Sequence, residues 1–315
     1  MKDPTFSVVI AAYQAAGTIG DAIESALAQT HPPVEIIVSD DGSSDDLDGA
    51  LAPYRERIVV LRNEHRGPGA ARNAALRRAT GEFVAILDAD DVFEPGRLAA
   101  LAGLAKSRPE LDILATDAVL ERVGKDVGRF YREDFRFPEA NQRREILRRC
   151  FVCAPAVRRA RLESVGGFDE SWEIAIAEDW DCWLRAILDG ARAGFVPEPL
   201  LRYRLGETNL TGNPVRSRRA RVRVMEKAAA RPDLSADERR YLDRALAIRR
   251  WQLVEAELAE GVATEDRETR GAAFAFAWRR GISMRVRAKA AAYALSPRLT
   301  TRALRRRHAI RDGER

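Results

Sequence analysis

The feature that most constrains the fold is an alternation of short β-branched runs with stretches of helical periodicity. Phe6–Ala11, Val34–Val38, Ile58–Leu61 and Phe83–Leu87 read as strands. Between the first two, Ile19, Ala22, Ile23, Ala26 and Leu27 share one face of a helix that opens at Gly17-Thr18 and stops at His31-Pro32-Pro33. Repeated strand–helix–strand units build a mostly parallel central sheet flanked by helices, a Rossmann-like α/β class. Ligands of such sheets bind outside the carboxyl ends of the strands. Tyr13, Asp41 and Asp88 to Asp91 follow three of these ends and should converge on one crevice.

The rest of the pattern divides the chain. An Ala/Arg helix is expected from Ala70 to Ala79 after the Gly67-Pro68-Gly69 turn, and a helix and a strand, Asp112–Thr116, after Pro95. The polar stretch from Glu121 to Arg149 is less regular and is expected to carry the second-substrate side. Residues 172–188 read as helix, and Pro197-Glu198-Pro199 as a break. From Val215 onward the pattern is nearly all helical, which places a boundary near Asn213-Pro214: a catalytic domain over 1–214 and a basic α-helical region over 215–315.

Charge follows that boundary. The chain carries a net +5, but residues 1–214 sum to −8 and residues 215–315 to +13. Phosphate backbones are gripped by clustered Lys and Arg, so the acidic front part is no nucleic-acid binder, and any polyanionic partner belongs to the tail. Three cysteines, Cys150, Cys153 and Cys182, are an odd set with no leader-like segment before them, which points to a reducing compartment. No apolar run of about 18 residues is present to span a bilayer. A cytoplasmic or peripheral location is expected.

Asp88-Ala89-Asp90-Asp91 carries the most chemistry. Three acids in four residues repel one another unless a cation neutralises them, and hard divalent ions take such oxygen ligands. Helix capping accounts for one of the three. Gly67-Pro68-Gly69-Ala70-Ala71-Arg72 is a weak glycine-loop signal, because Arg72 stands where a dinucleotide fingerprint needs glycine and no Gly-Lys-Ser/Thr occurs. Arg72 and Asn73 either face a diphosphate or hold the structure together. His31, His65 and His308 have no metal-ligand spacing, and Cys150-Phe-Val-Cys153 reads as buried thiols.

Six segments in order, Val8–Tyr13, Ile37–Ser43, Ala71–Asn73, Leu87–Asp91, Gly166–Glu170 and Glu178–Asp181, resemble the family-2 glycosyltransferases. The resemblance covers residues 6 to about 211 and implies a GT-A fold and inverting transfer from a nucleotide sugar, most simply a UDP-sugar, to a glycan or lipid-linked acceptor of the cell surface. It also implies roles. Ala11, Tyr13, Asp41, Arg72, Asp88, Ala89 and Asp90 line the donor site, with Tyr13 stacked on the base, Asp41 hydrogen-bonded to it and Asp88 at ribose or phosphate. Asp90 ligates Mg²⁺ or Mn²⁺, and Asp179 is the catalytic base. Gly167, Phe168, Trp172 and Glu178 lie on the acceptor side. Tyr203-Arg204-Leu205-Gly206-Glu207 departs from the family's Tyr-Arg-x-His pattern, leaving Arg204 or Glu207 as substitutes for the histidine. The rival readings are a nucleotidyltransferase, which needs a phosphate-gripping loop after strand one where Ala11-Ala12-Tyr13-Gln14 stands, and a noncatalytic scaffold on a degenerate transferase domain.

In the tail, Leu242, Leu246, Leu253, Val254 and Leu258 repeat at helical spacing. Phe274, Trp278, Ile282 and Val286 then recur every fourth residue beside Arg279, Arg280, Arg287 and Lys289. That layout suits either an interfacial helix on anionic lipid or a stripe docked on the catalytic domain.

Overall fold

The computed structural model describes residues 3–206, 213–259, 271, 273–274, 276–278 and 284–296. The chain divides into two compact units, Met1–Asn209 and Leu210–Arg315.

The first unit is built on strands β1 (Phe6–Ala12), β2 (Glu35–Asp40), β3 (Val59–Arg62) and β4 (Phe83–Asp88), all parallel. Their register sets Ala11 opposite Ser39 of β2 and Asp88 of β4, so three carboxyl ends finish level with one another. Phe6, Val8 and Ile10 project to one side of β1 and are buried in one core with α1 (Ile19–Leu27) and α4 (Arg97–Ser107). Val9 and Ile37 project to the other side and are equally buried. Strands covered on both faces must be apolar throughout, which is why these runs are continuous rather than alternating.

Beyond β4 the sheet changes character. Its order is β3-β2-β1-β4-β8-β6-β9-β5, with β5 at Val92–Phe93, β6 at Ile113–Arg122, β8 at Ala156–Arg158 and β9 at Ala193–Arg204, while β7 (Lys125–Arg129) folds back on β6. β8 is antiparallel to both neighbours, so the mostly parallel sheet expected is parallel from β3 to β4 and mixed beyond it.

Several boundaries differ from the sequence expectation for local physical reasons. α3 (Pro68–Arg78) starts two residues early because Gly67, at φ +94°, turns the chain and Pro68 takes the first helical position. Pro197-Glu198-Pro199 does not break the chain; it lies inside β9, where the pairing with β6 slips between Thr116 and Ala118 and a bulge absorbs residues that cannot serve the ladder. The helix expected over 172–188 is only α7 (Glu178–Leu188), since the segment before it makes two tight turns, Ile174 N–H to Ser171 O and Ala177 N–H to Ile174 O. The irregular stretch holds β7 and the short α5 (Gln142–Ile146), and two other short helices are α2 (Leu47–Leu51), between β2 and β3, and α6 (Arg159–Ser164), after β8. Asp91 caps no helix, because β5 follows it and α4 begins at Arg97. All three cysteines are free thiols, with Cys153 and Cys182 buried and Cys150 half-buried.

The second unit contains helices α8 (Pro214–Ala229) and α9 (Ala236–Ala259) and a helix over Met284–Leu295. Asn213 caps α8, its side chain accepting the Arg216 N–H at 2.8 Å. Leu242, Leu246 and Trp251 are buried on α9, and Leu253 and Val254 are half-buried. Glu207, Arg279, Arg280, Ile282 and His308, and the side chains of Leu258, Val286 and Lys289, lie outside what is described. Among the described residues no helix is long and apolar enough to cross a membrane.

Candidate active site

The loops after β1, β2 and β3 are laced together at the carboxyl edge. Gln14, at φ +52°, donates its backbone N–H to Ser43 Oγ at 3.0 Å and accepts the Asp45 N–H at 3.0 Å. Asp41 is buried and its carboxylate organises the loop before α3. Oδ1 accepts the Arg66 N–H at 3.0 Å, and Oδ2 accepts the Gly67 N–H at 2.8 Å and lies 3.1 Å from His65 Nδ1. The His65 ring in turn stacks on Tyr13, with centroids 4.1 Å apart and planes 19° off parallel, and meets Trp172 at 5.0 Å. Tyr13 remains 47% exposed and Trp172 48%, so neither is a core residue. In the sequence His65 carries no metal-ligand spacing to mark it. The available signal was its position at the same strand edge as the other site loops.

The second feature is a buried cation. Arg72, on α3, donates from Nη2 to Asp88 Oδ1 at 2.7 Å and from Nη1 to Glu178 Oε1, and its guanidinium lies 5.7 Å from the Phe168 ring centroid. It therefore ties the end of β4 to the first residue of α7. Burial works against its charge, but the Glu178, Asp88 and Asp179 carboxylates outweigh that and hold it above its ordinary value. Burial pushes the Glu178 carboxyl up, to about 7, against the pull of Arg72. Asp179 beside it is half-buried and accepts the Trp180 N–H at 2.6 Å. Adjacent residues on α7 thus divide: Glu178 turns inward to Arg72, and Asp179 stays partly open.

The acids after β4 are unevenly neutralised. Asp88 has Arg72. Asp90 is pushed up to about 6, first by burial and then by the Asp88 charge. Asp91 is raised well above the carboxylate range by burial and by its two neighbours; its Oδ1 accepts the Arg204 N–H at 2.9 Å, and its buried Oδ2 has no hydrogen-bond partner. The Arg204 guanidinium is engaged elsewhere, with Asp21 at 2.7 Å. An orphaned carboxylate oxygen among three crowded acids fits a bound cation. Among the described residues no group of three His, Cys, Asp or Glu side chains is arranged to hold a metal ion.

That crowding has a sign. Asp90 sits at about 6 against an ordinary 3.8, so its proton stabilises the fold below about pH 4, and the stabilisation is lost as pH rises through about 6. At neutral pH the ionised group costs on the order of 3 kcal/mol. Asp90→Asn is expected to raise the unfolding midpoint by several degrees near pH 7.5 in the presence of a chelator and to leave it unchanged near pH 4, as read by thermal scans.

The Gly166–Glu170 segment closes against α3. Gly166 and Gly167 have φ of +78° and +70°, and a Cβ on Gly167 would stand 2.4 Å from Asn73 Oδ1. Asn73 is spent on this contact, accepting the Phe168 N–H at 2.8 Å and donating to Phe168 O at 2.8 Å. Asn73 is therefore a structural clamp. Phe168 is buried, its ring edge-on to Trp183 at 5.5 Å, and supports Arg72 from behind. Ala11 is half-buried and Ala89 buried, each contributing backbone at its strand end.

The model for the family described as glycosyl transferase family 2 matches residues 7–166, which contain the β1, β2 and β4 ends and the Arg72 helix. The chain belongs to glycosyltransferase family 2. It is 32% identical over 223 residues to the succinoglycan biosynthesis protein ExoO of Rhizobium meliloti (strain 1021), covering 67% of this chain and 63% of that protein. It is 32% identical over 208 residues to ExoU, a succinoglycan biosynthesis protein of the same strain, covering 59% and 57%. The chain thus spans about three-fifths of the length of these curated relatives. Among solved structures it resembles S. aureus TarS 1–349 in complex with UDP-GlcNAc, with a TM-score of 0.67 and 22% identity over 98% of this chain and 92% of that one. It also resembles the mannosyltransferase PcManGT of Pyrobaculum calidifontis in complex with GDP-Man and Mn²⁺, with a TM-score of 0.60 and 22% identity over 95% and 89%. These likenesses establish the GT-A fold.

Proposed function

We propose that this family-2 glycosyltransferase moves a sugar, with inversion, from a UDP-sugar to a hydroxyl of a glycan or lipid-linked acceptor in cell-surface polysaccharide synthesis, at the cytoplasmic side of the membrane. The observation that carries the reading is the Arg72 bridge. One guanidinium joins Asp88, at the end of β4, to Glu178, the neighbour of Asp179, which supports reading the donor acids and the candidate base as one site.

The residues divide the work. Tyr13, backed on one face by His65, offers its ring to the nucleobase, and the Asp41-organised loop walls the same pocket. Asp88 keeps a partly exposed carboxylate for the ribose or diphosphate while Arg72 holds its Oδ1. A Mg²⁺ or Mn²⁺ ion held by Asp90 and the diphosphate would offset charge on the leaving group. In the transfer step the acceptor oxygen bonds to the anomeric carbon as the bond from that carbon to the diphosphate oxygen breaks, and Asp179 takes the acceptor's proton. One base and one stabilised leaving group suffice for a single displacement. Trp172, exposed at the rim, is suited to stack on a sugar face.

Two findings on other proteins support the donor class and the pathway: the UDP-GlcNAc complex of TarS, and the role in succinoglycan biosynthesis carried in the names of ExoO and ExoU. The test is calorimetric titration with UDP-, GDP- and dTDP-sugars, with and without Mn²⁺. A UDP-sugar should bind, and more tightly with the ion. Absence of binding by every nucleotide sugar would overturn the proposal.

A further inference from the structure

The second unit has a small core of its own. Trp251 of α9 stacks on Phe276 with centroids 5.6 Å apart and meets Tyr293 at 6.3 Å, and Ala273, Ala277, Ala290 and Ala294 fill the space between them. Arg287 Nε donates to Ala277 O at 2.6 Å, fastening the Met284–Leu295 helix to this segment. Two large apolar side chains of the same stretch lie outside this core. Phe274 is 55% exposed and Trp278 is 69% exposed, their rings 6.2 Å apart, and Met284 and Leu295 are also exposed.

We propose that the Phe274–Trp278 face docks on an anionic phospholipid bilayer. Charge complementarity selects the partner. Residues 271–315 contain 12 Lys and Arg against 2 Asp and Glu, and Arg279 and Arg280 follow Trp278 directly in sequence. Anionic headgroups attract such a segment, and the exposed aromatic rings that it carries belong at the boundary of headgroups and acyl chains. Single-stranded nucleic acid would use the cations and could stack on the rings, but it has no use for the exposed Met284 and Leu295, which a bilayer does. The inference is independent of the transferase reading, because its readout is lipid binding by the intact chain.

The experiment is flotation of the full chain with vesicles of phosphatidylcholine containing about 30% phosphatidylglycerol, against vesicles of phosphatidylcholine alone. Binding to the anionic vesicles is expected, with loss in high salt and on neutral vesicles. Phe274→Ser/Trp278→Ser should weaken binding at least ~10-fold while preserving the unfolding midpoint. In a second measurement, brominated lipid should quench a fraction of the tryptophan fluorescence that disappears in Trp278→Phe, a variant that keeps the apolar ring and should still bind. No binding to anionic vesicles would overturn the proposal. So would equal binding by the double variant, preference for single-stranded RNA over vesicles, or an oligomer that the double variant dissolves.

Discussion

Asp179→Asn is expected to lower transfer by ~10³-fold or more while leaving nucleotide-sugar affinity within about threefold. The substitution keeps the size of the side chain and an oxygen to accept the Trp180 N–H, so the start of α7 and the Arg72–Glu178 pair persist. What it removes is a carboxylate able to take the acceptor proton as the new bond forms. Steady-state kinetics should therefore show the loss in kcat with little change in donor KM, and calorimetry should give an unaltered donor isotherm. Turnover equal to the parent would move the base to another residue. Glu178 is the poorer candidate, because it is buried and one of its oxygens is already held by Arg72.

The second large effect concerns that pair. Arg72→Met is expected to destabilise the first unit by about 3–5 kcal/mol, because it leaves Glu178 buried with no counterion and Asp88 without its partner. In a unit of this size the unfolding midpoint should fall by about 10 °C. Arg72→Met/Glu178→Gln should recover much of that, since the buried charge goes with its partner, yet transfer should remain low. A double variant no more stable than Arg72→Met would show that the arginine acts through packing on Phe168 rather than through charge. Arg72→Lys should fall between, as one ammonium cannot span Asp88 and Glu178 in the way a planar fork does.

The two predictions draw on different kinds of legibility. Asp179 is singled out as the proposed base only by the family resemblance of the Glu178–Asp181 segment, and the structure keeps it half-buried at the first turn of α7. Arg72 was legible as a residue of interest but not in its task, because its partners lie 16 and 106 positions away and only packing brings them to one guanidinium. The same holds for Asn73, whose amide could equally have faced a phosphate until the Phe168 backbone was found against it. Phe168 and Glu178, expected on the acceptor side, face inward for the same reason: Arg72 needs a ring and a carboxylate around it where water cannot reach. Asp41 was expected at the nucleobase and is found holding two backbone amides and the imidazole that backs Tyr13.

The sequence alone determined the elements β1 to β4 and α1, the strand ends at which chemistry collects, and the acidic and basic halves of the chain. These are read from periodicity and charge, which are local and additive along the chain. Only the tertiary structure decided that β8 inserts antiparallel between β4 and β6, pairing Ala85 with Ala156, and that His65 backs Tyr13. It alone decided which acids are neutralised. Asp88 gains a guanidinium while Asp90 and Asp91 are left crowded, a difference that composition cannot carry, because the cost of a buried charge depends on which distant group is packed beside it.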